Sequence, residues 1–145
     1  MHKENQCFFS SIHKNTKKLP LYQCATAAGF PTPGDDQVER VLDINDLVVQ
    51  NPASTFFVRV EGDSMIDVGI FSGDVLVVDR SKEVKNYDIV VVAVNGELVV
   101  KRYIKENQRN EALLVSENDE YEPITIGDGE DCKLWGVIVG SVRVF

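Results

Sequence analysis

The hydrophobic pattern of the chain changes near residue 50. From there on, short apolar runs separated by turn residues predict a series of β-strands. These predicted strands are Thr55–Val60, Val75–Val78, Ile89–Val94, Glu97–Ile104, Ala112–Val115, Ile124–Ile126 and Leu134–Phe145. Asn95-Gly96, between two of them, is the strongest short hairpin signal. Because the chain has no internal repeat and no βαβ alternation, we expect a mainly β fold, a compact twisted sheet or barrel-like assembly.

The N-terminal part has a different pattern. Residues 1–28 are polar and show no clear periodicity, so we expect a flexible arm. Residues 27–36 read AAGFPTPGDD, and their two prolines and two glycines predict an extended, accessible linker. The run from Asp43 to Gln50 predicts a short helix with Asp43 as its N-cap. We therefore expect an arm and linker over residues 1–50 and a folded domain over residues 51–145.

Length and composition narrow the class of protein. The chain has 145 residues, which fits one domain with a tail, and its 43% hydrophobic content is ordinary for a globular protein. No apolar run is long enough to span a bilayer, and the N-terminus lacks the apolar region of a secretory signal. Three scattered cysteines suggest reduced thiols rather than a disulfide framework. We expect a cytoplasmic protein that does not bind membranes.

The net charge of −8 is unevenly distributed. Residues 1–28 contain four lysines and one glutamate, a charge of +3, so the rest of the chain carries −11. An acidic body repels the phosphate backbone of DNA and RNA, which argues against direct tight binding to nucleic acid. If nucleic acid matters to this protein, a partner protein supplies the contact.

The residue types in the body exclude several chemistries. The two histidines of the chain, His2 and His13, lie in the arm, so the core cannot contain a Ser-His-Asp triad or a Cys-His pair. The body offers a single cysteine and no glycine-rich phosphate loop. We expect no metal and no cofactor. The remaining nucleophilic chemistry is a serine or threonine activated by a lysine.

A lysine can act as a base only when its amine is neutral. A solvated lysine has a pKa of ~10.4, and burial in apolar surroundings lowers that pKa by up to ~3–5 units. Lys101 lies within the apolar run LVVKRYI, whereas the other lysines of the body lie in polar or charged segments, namely Lys82, Lys85, Lys105 and Lys133. Strand alternation does not decide whether Lys101 or Arg102 points inward, because both faces are apolar. Arginine is never deprotonated in proteins, so Lys101 is the candidate base.

The stretch EGDSMID, Glu61 to Asp67, places a serine in a turn at the end of a predicted strand. Taken alone, a Gly-Asp-Ser turn is usually only a turn, and a strand lysine usually extends its amine into solvent. The two features gain weight together, because the chemistries that would compete with a serine and a lysine are absent from the body.

Several motifs resemble the LexA/UmuD family, the self-cleaving Ser-Lys proteases of the bacterial DNA-damage response. They are GDSM at 62–65, GDVLVVD at 73–79, GELVVKR at 96–102, SENDEYEPI at 116–124 and WGVIVG at 135–140. The likeness covers nearly everything from Ala28 to Phe145. It implies the catalytic-domain fold of that family, and the serine and lysine motifs are specific together but weak alone.

The resemblance implies roles for individual residues. Ser64 would be the nucleophile and Lys101 the base, and we expect the backbone N–H groups of Asp63 and Ser64 to form the oxyanion hole. Gly62 would permit a close approach of the chain, and Met65 would anchor the turn in the core.

The substrate implied by the resemblance is the protein's own arm, cut between Ala28 and Gly29. The mutagenesis proteins of the family have Cys before this Gly, whereas Ala28 matches the repressors. Without the resemblance, Ala-Ala-Gly is as well explained as a flexible linker.

The resemblance also implies partners. A RecA filament on single-stranded DNA would stimulate the cut, and the trimmed homodimer would join a UmuC-like Y-family polymerase in translesion synthesis. We expect the C-terminal strand, Val137 to Phe145, to provide the dimer edge.

Three other interpretations remain open at this point. The first is a non-enzymatic β adaptor that only binds a polymerase or a filament. The second is a LexA-like repressor core without its DNA-binding domain, since the 28 residues before Gly29 are too few for a winged helix-turn-helix with its own core. The third is a signal peptidase, which also uses a serine with a lysine but normally needs a membrane anchor.

Overall fold

The computed structural model describes residues 17–23, 38–106, 108, 111–126 and 131–145. The chain forms two compact units, residues 1–47 and residues 48–145. The expected cut between Ala28 and Gly29, and the expected linker at 27–36, lie outside the described residues. Within the described ranges, no helix is long and apolar enough to cross a membrane.

The first unit contains two short strands that the sequence pattern did not predict. Strand β1 (Leu19–Tyr22) pairs antiparallel with β2 (Val38–Leu42), with Leu19 opposite Leu42. Local periodicity gives no sign of this pairing, because the two strands are short and far apart in the chain. Helix α1 (Ile44–Val48) follows and is shorter than predicted, but its start is as expected: the Asp43 carboxylate accepts the backbone N–H of Asn45 at 2.9 Å.

The second unit is a seven-stranded antiparallel sheet. Its strands are β3 (Thr55–Arg59), β4 (Val75–Asp79), β5 (Ile89–Val94), β6 (Glu97–Glu106), β7 (Glu111–Val115), β8 (Ile124–Ile126) and β9 (Cys132–Val142). Their order in the sheet is β3-β4-β9-β5-β6-β7-β8. The mainly β prediction is confirmed, and the twisted sheet is open rather than closed into a barrel over the described residues.

The turn between β5 and β6 follows the hairpin prediction. Asn95 and Gly96 both have left-handed backbones, with φ of 50° and 83°. A two-residue turn with positive φ at both positions matches the right-handed twist of the strands on either side. The Asn-Gly pair therefore fixes the register of β5 against β6, in which Val90 lies opposite Lys101.

Strand β9 lies between β4 and β5 in the sheet, and each half of it pairs with a different one of these two strands. Residues 132–137 pair with β5, and residues 137–142 pair with β4. The register shifts once in each half, opposite Val91/Val92 and opposite Val77/Val78. Such bulges bend a strand and increase its twist. The sheet therefore curves, and β3 and β6 line the same pocket although three strands separate them in the sheet order.

Buried apolar side chains cover both faces of the sheet. One cluster contains Val60, Met65, Ile70, Leu76, Val78 and Val91, and the other contains Val90, Val92, Leu114 and Val137. Consecutive residues of β5 thus enter different clusters, because side chains of a strand alternate between its faces. This is why the strand read as continuously apolar in the sequence.

A buried carboxylate joins the start of β3 to the end of β4. Asp79 accepts hydrogen bonds from the Asn51 amide at 2.8 Å, the Ser54 hydroxyl at 2.8 Å, and both the backbone N–H and the hydroxyl of Ser81 at 2.8 and 2.7 Å. These hydrogen bonds, led by that of Asn51, hold the pKa of the Asp79 carboxyl well below its usual range. The charge is buried, but its hydrogen-bonding capacity is met.

Gly136 of β9 packs directly against the backbone of β4. A Cβ atom at this position would lie 2.7 Å from Val78 Cγ1 and 2.9 Å from the carbonyl oxygen of Asp79. We expect Gly136→Ala to lower the free energy of unfolding by about 1–3 kcal/mol, because the backbone must move to admit the methyl group. Urea unfolding measures the change.

The matched control is Gly140→Ala in the same strand. Its Cβ would meet the nearest atoms of Val77 at 3.9 Å, an ordinary van der Waals contact. We expect little loss of stability there, and equal losses in the two variants would contradict the packing argument.

Candidate active site

Ser64 lies in a turn directly after β3. The turn begins at Gly62, which has φ of +86°, and Met65 follows the serine and packs into the core as expected. A Cβ at Gly62 would meet no atom within 4 Å. The expectation of a close chain approach at this glycine is therefore wrong: the position needs glycine because of its left-handed backbone. Ser64 itself is half-buried.

The segment 116–121 braces this turn through several hydrogen bonds. The Asn118 amide donates to the carbonyl oxygen of Asp63 at 3.0 Å, and the Tyr121 hydroxyl donates to the Asp63 carboxylate at 2.7 Å. The backbone N–H of Asp67 donates to the carbonyl oxygen of Glu117 at 2.9 Å. The serine turn is therefore fixed from outside its own strand as well as by its own backbone.

Lys101 points inward from β6. It is only 7% exposed, whereas the neighbouring Arg102 reaches outward to form an ion pair with Glu117 and to donate to the carbonyl oxygen of Tyr87. The structure thus decides the question that strand alternation left open. Burial disfavours the charged ammonium group and lowers the pKa of Lys101 from its ordinary value.

Two neighbours of the Lys101 amine were missed by the sequence reasoning. The nitrogen Nζ lies 2.5 Å from the hydroxyl oxygen of Ser116 and 5.3 Å from the ring centroid of Tyr121. Among the described residues, no hydrogen bond joins Lys101 to Ser64. The register of β6 against β7, with Arg102 opposite Val115, is the signal that could have found Ser116, because it puts the next residue beside Lys101.

Ser64 and Lys101 line the same pocket, which has a volume of about 360 Å³. Its walls come from the end of β3, the serine turn, residues 98–101 of β6 and Tyr121. Apolar side chains such as Val58 and Val100 contribute to the walls, and the charged residues that line it are Arg59, Glu61, Asp63 and Lys101. The pocket therefore combines a hydroxyl group and a desolvated amine in a largely apolar setting.

Asp63 and Ser64, whose backbone N–H groups are the expected oxyanion hole, both line this pocket. Neither N–H group donates a hydrogen bond to another described residue.

A serine and a buried lysine thus line one pocket of a mainly β fold. The chain belongs to the peptidase S24-like family, whose model matches residues 20–139. The resemblance to the LexA/UmuD family is thereby confirmed.

Individual relatives agree with this assignment. The chain is 46% identical to SamA of Salmonella typhimurium over 124 residues, which cover 86% of this chain and 84% of SamA. It is 38% identical to the LexA repressor of Caldicellulosiruptor saccharolyticus over 133 residues, 91% of this chain and 62% of the repressor. It is 44% identical to ImpA of Escherichia coli over 85 residues, 59% of each chain. The chain thus matches less than two thirds of the length of ImpA and of the repressor.

An ion pair between the buried carboxylate of Asp74 and the exposed guanidinium of Arg143 holds the loop that follows the serine turn. The Asp74 carboxylate, 2% exposed, accepts hydrogen bonds from the Arg143 guanidinium at 2.7 and 2.6 Å and from the Phe71 backbone N–H at 2.9 Å. The hydrogen bonds from Arg143 contribute most to lowering the pKa of Asp74 from 3.8 to about 2. The Asp74 backbone carbonyl in turn accepts the N–H of Val60 at 2.9 Å, directly before the turn.

The lowered pKa of Asp74 predicts how stability depends on pH. Its contribution is fully present above the ordinary pKa of 3.8 and is lost as the pH falls toward about 2, because protonation removes the charge that Arg143 binds. We expect Asp74→Asn to destabilise the protein at neutral pH. The difference in free energy of unfolding between this variant and the wild type should narrow over this acidic range. Urea unfolding at several pH values measures it.

Asp119→Asn serves as the control, because this exposed carboxylate has no side-chain hydrogen bond within the described part of the chain. If the stability difference between Asp74→Asn and the wild type stays constant from neutral pH to about pH 2, protonation of Asp74 does not control this part of the stability.

Proposed function

We propose that this protein is a self-cleaving serine endopeptidase with Ser64 as nucleophile and Lys101 as general base. The single observation that carries the proposal is that a lysine amine almost excluded from water lines the same pocket as a serine on a tight turn. Only a lysine with a lowered pKa can supply a neutral amine near physiological pH.

In the proposed reaction, neutral Lys101 takes the hydroxyl proton while Ser64 Oγ attacks the carbonyl carbon of the scissile bond. The N–H groups of Asp63 and Ser64 donate to the oxyanion that forms, and each such donor lowers the barrier by about 3 kcal/mol. The Lys101 ammonium then protonates the leaving nitrogen as the peptide bond breaks. Water hydrolyses the resulting ester and restores Ser64.

We propose that the substrate is the bond between Ala28 and Gly29 in the same protein. Small residues on both sides of a bond let an extended backbone enter a narrow cleft, and a pocket of about 360 Å³ suits such a segment. Membership in the peptidase S24-like family supports the choice of a peptide bond as substrate.

We propose that the protein acts in SOS mutagenesis, that a RecA filament on single-stranded DNA stimulates its cut, and that the trimmed dimer serves a UmuC-like Y-family polymerase. The relatives SamA and the LexA repressor support this setting. A filament that stabilises the docked substrate would raise the reactive fraction without adding a catalytic side chain.

The proposed homodimer has a candidate edge in β9. Its residues 138–142 pair with β4 on one side, and β5 does not extend along their other side. The apolar side chains of Val139, Val142, Val144 and Phe145 are exposed along and after this half of the strand. An unpaired strand edge with exposed apolar side chains favours pairing with a second copy.

Self-cleavage provides the main test. We expect the purified protein to release residues 1–28 at a rate that rises up to about tenfold per pH unit below the pKa of Lys101, because the neutral fraction rises by that factor. Mass spectrometry identifies the cut after Ala28. Ser64→Ala and Lys101→Ala should abolish it, and RecA, ATP and single-stranded DNA should accelerate it only when both residues are present.

Lys105→Ala is the matched control, because Lys105 lies on the same strand with an exposed side chain. We expect it to cut at the wild-type rate. A rate that does not change from neutral to strongly alkaline pH, or undiminished cutting by Lys101→Ala, would count against a lysine base. Normal processing by Ser64→Ala would favour the adaptor alternative.

The dimer edge is tested by charge. We expect Val139→Lys combined with Val142→Lys to shift the protein toward monomer in light scattering, because two ammonium groups along an added strand repel their copies. Phe57→Lys is the control, since Phe57 is an exposed apolar residue on β3, which is separated from β9 by β4. Unchanged dimer in the double variant would exclude this edge.

A further inference from the structure

Ser116 has no part in the reaction described above, yet it is the hydrogen-bond partner of the proposed base. Its hydroxyl oxygen lies 2.5 Å from Lys101 Nζ, and both residues are buried. A buried amine bound to one fixed hydroxyl group has few orientations left. The question is what this contact does for the amine.

The backbone around Ser116 is fixed on two sides. On one side, β7 pairs with β6 up to Val115, the residue immediately before Ser116. On the other side, the next residue, Glu117, donates its backbone N–H to the sulfur of Met65 at 3.4 Å and accepts the N–H of Asp67. The residue before Ser116 is therefore paired with the strand that carries the lysine, and the residue after it is bonded to Met65 and Asp67, beside Ser64.

We propose that Ser116 is a positioning residue whose hydroxyl oxygen accepts an N–H of the Lys101 amine and holds that nitrogen in the pocket shared with Ser64. This inference rests on the proposed self-cleavage. A neutral amine has two N–H bonds and one lone pair. Binding one N–H at Ser116 restricts rotation about the Cε–Nζ bond and leaves the lone pair for the Ser64 proton.

The same contact acts on the proton affinity of Lys101. An acceptor binds an ammonium N–H more strongly than an amine N–H, so Ser116 favours the charged form and partly offsets the effect of burial. Replacing Ser116 by alanine removes both effects. The pKa of Lys101 should fall further, and the amine should lose its fixed direction.

Other groups near the amine could also affect its titration. They are the Tyr121 ring at 5.3 Å, the pocket residues Arg59, Glu61 and Asp63, and the Arg102–Glu117 ion pair beside it on the adjacent residues. The Ser116 variants leave all of these in place. A change in the titration of Lys101 itself, rather than in activity alone, therefore identifies the contribution of Ser116.

The first experiment titrates Lys101 directly in the full chain carrying Ser64→Ala, which cannot cut itself. The ¹³Cε signal of Lys101, assigned by its loss in Lys101→Arg, is followed over pH by NMR. We expect Ser116→Ala to lower the midpoint by about 0.5–1 pH unit, the equivalent of one lost hydrogen bond. Ser116→Thr, the matched control, keeps the hydroxyl group and should restore the midpoint.

The second experiment measures self-cleavage with Ser64 intact. We expect Ser116→Ala to move the rise in rate to lower pH and to lower the alkaline plateau about tenfold, the effect of a misplaced base. Ser116→Thr should recover both. An unmoved midpoint in either experiment overturns the proposal, and so does a uniform loss of rate that threonine does not repair.

Two further outcomes are distinguishable. If the wild-type chain does not cut itself but Ser116→Ala still lowers the titration midpoint of Lys101, the positioning role of Ser116 is supported and the proposed self-cleavage is contradicted. If Ser116→Ala does not fold by circular dichroism, Ser116→Cys replaces it, because sulfur is a weaker acceptor of similar size. The midpoint should then fall in the same direction, and an unchanged midpoint overturns the proposal.

Discussion

Burial of the Lys101 amine is the constraint on which the candidate site depends. An ammonium group removed from water loses favourable hydration, and no described carboxylate forms an ion pair with this one. Its contacts are a hydroxyl group and the face of an aromatic ring. Few interactions therefore stabilise the ammonium form of Lys101, and this is the condition under which a lysine can act as a base. Lys101 lies opposite Val90 of β5, a strand whose two faces are covered by buried apolar side chains.

The curvature of the sheet turns this buried amine into a site. Two bulges in β9 bend the strand, and Gly136 lets it approach β4 without a side chain between them. The bend brings the end of β3 opposite β6, so that Ser64 and Lys101 line one pocket although their strands are not neighbours. Pocket shape thus depends on backbone features of β9, a strand that contributes none of the described residues lining the pocket.

Much of the fold was predictable from local sequence, and less of the site. Apolar runs and Asn95-Gly96 indicated the strands and the hairpin, and chemical elimination selected Lys101 where alternation could not. The roles of Ser116 and Tyr121 were not predicted. Their contacts depend on the register of β6 against β7 and on a loop that folds back over the serine turn. The pairing of β1 with β2 was not predicted for a similar reason. Pairing between short strands far apart in the chain produces no periodic hydrophobic pattern, and neither does the curvature of a sheet.

The hydrogen bonds around Asp79 have a consequence for a chain that loses its beginning. Every donor to this carboxylate among the described residues lies at or after Asn51, within the unit of residues 48–145. Removal of any stretch ahead of residue 48 would leave these described donors, and all seven strands of the sheet, in the chain. Shortening the protein from its front end would therefore change its length and its charge without removing any strand of this sheet.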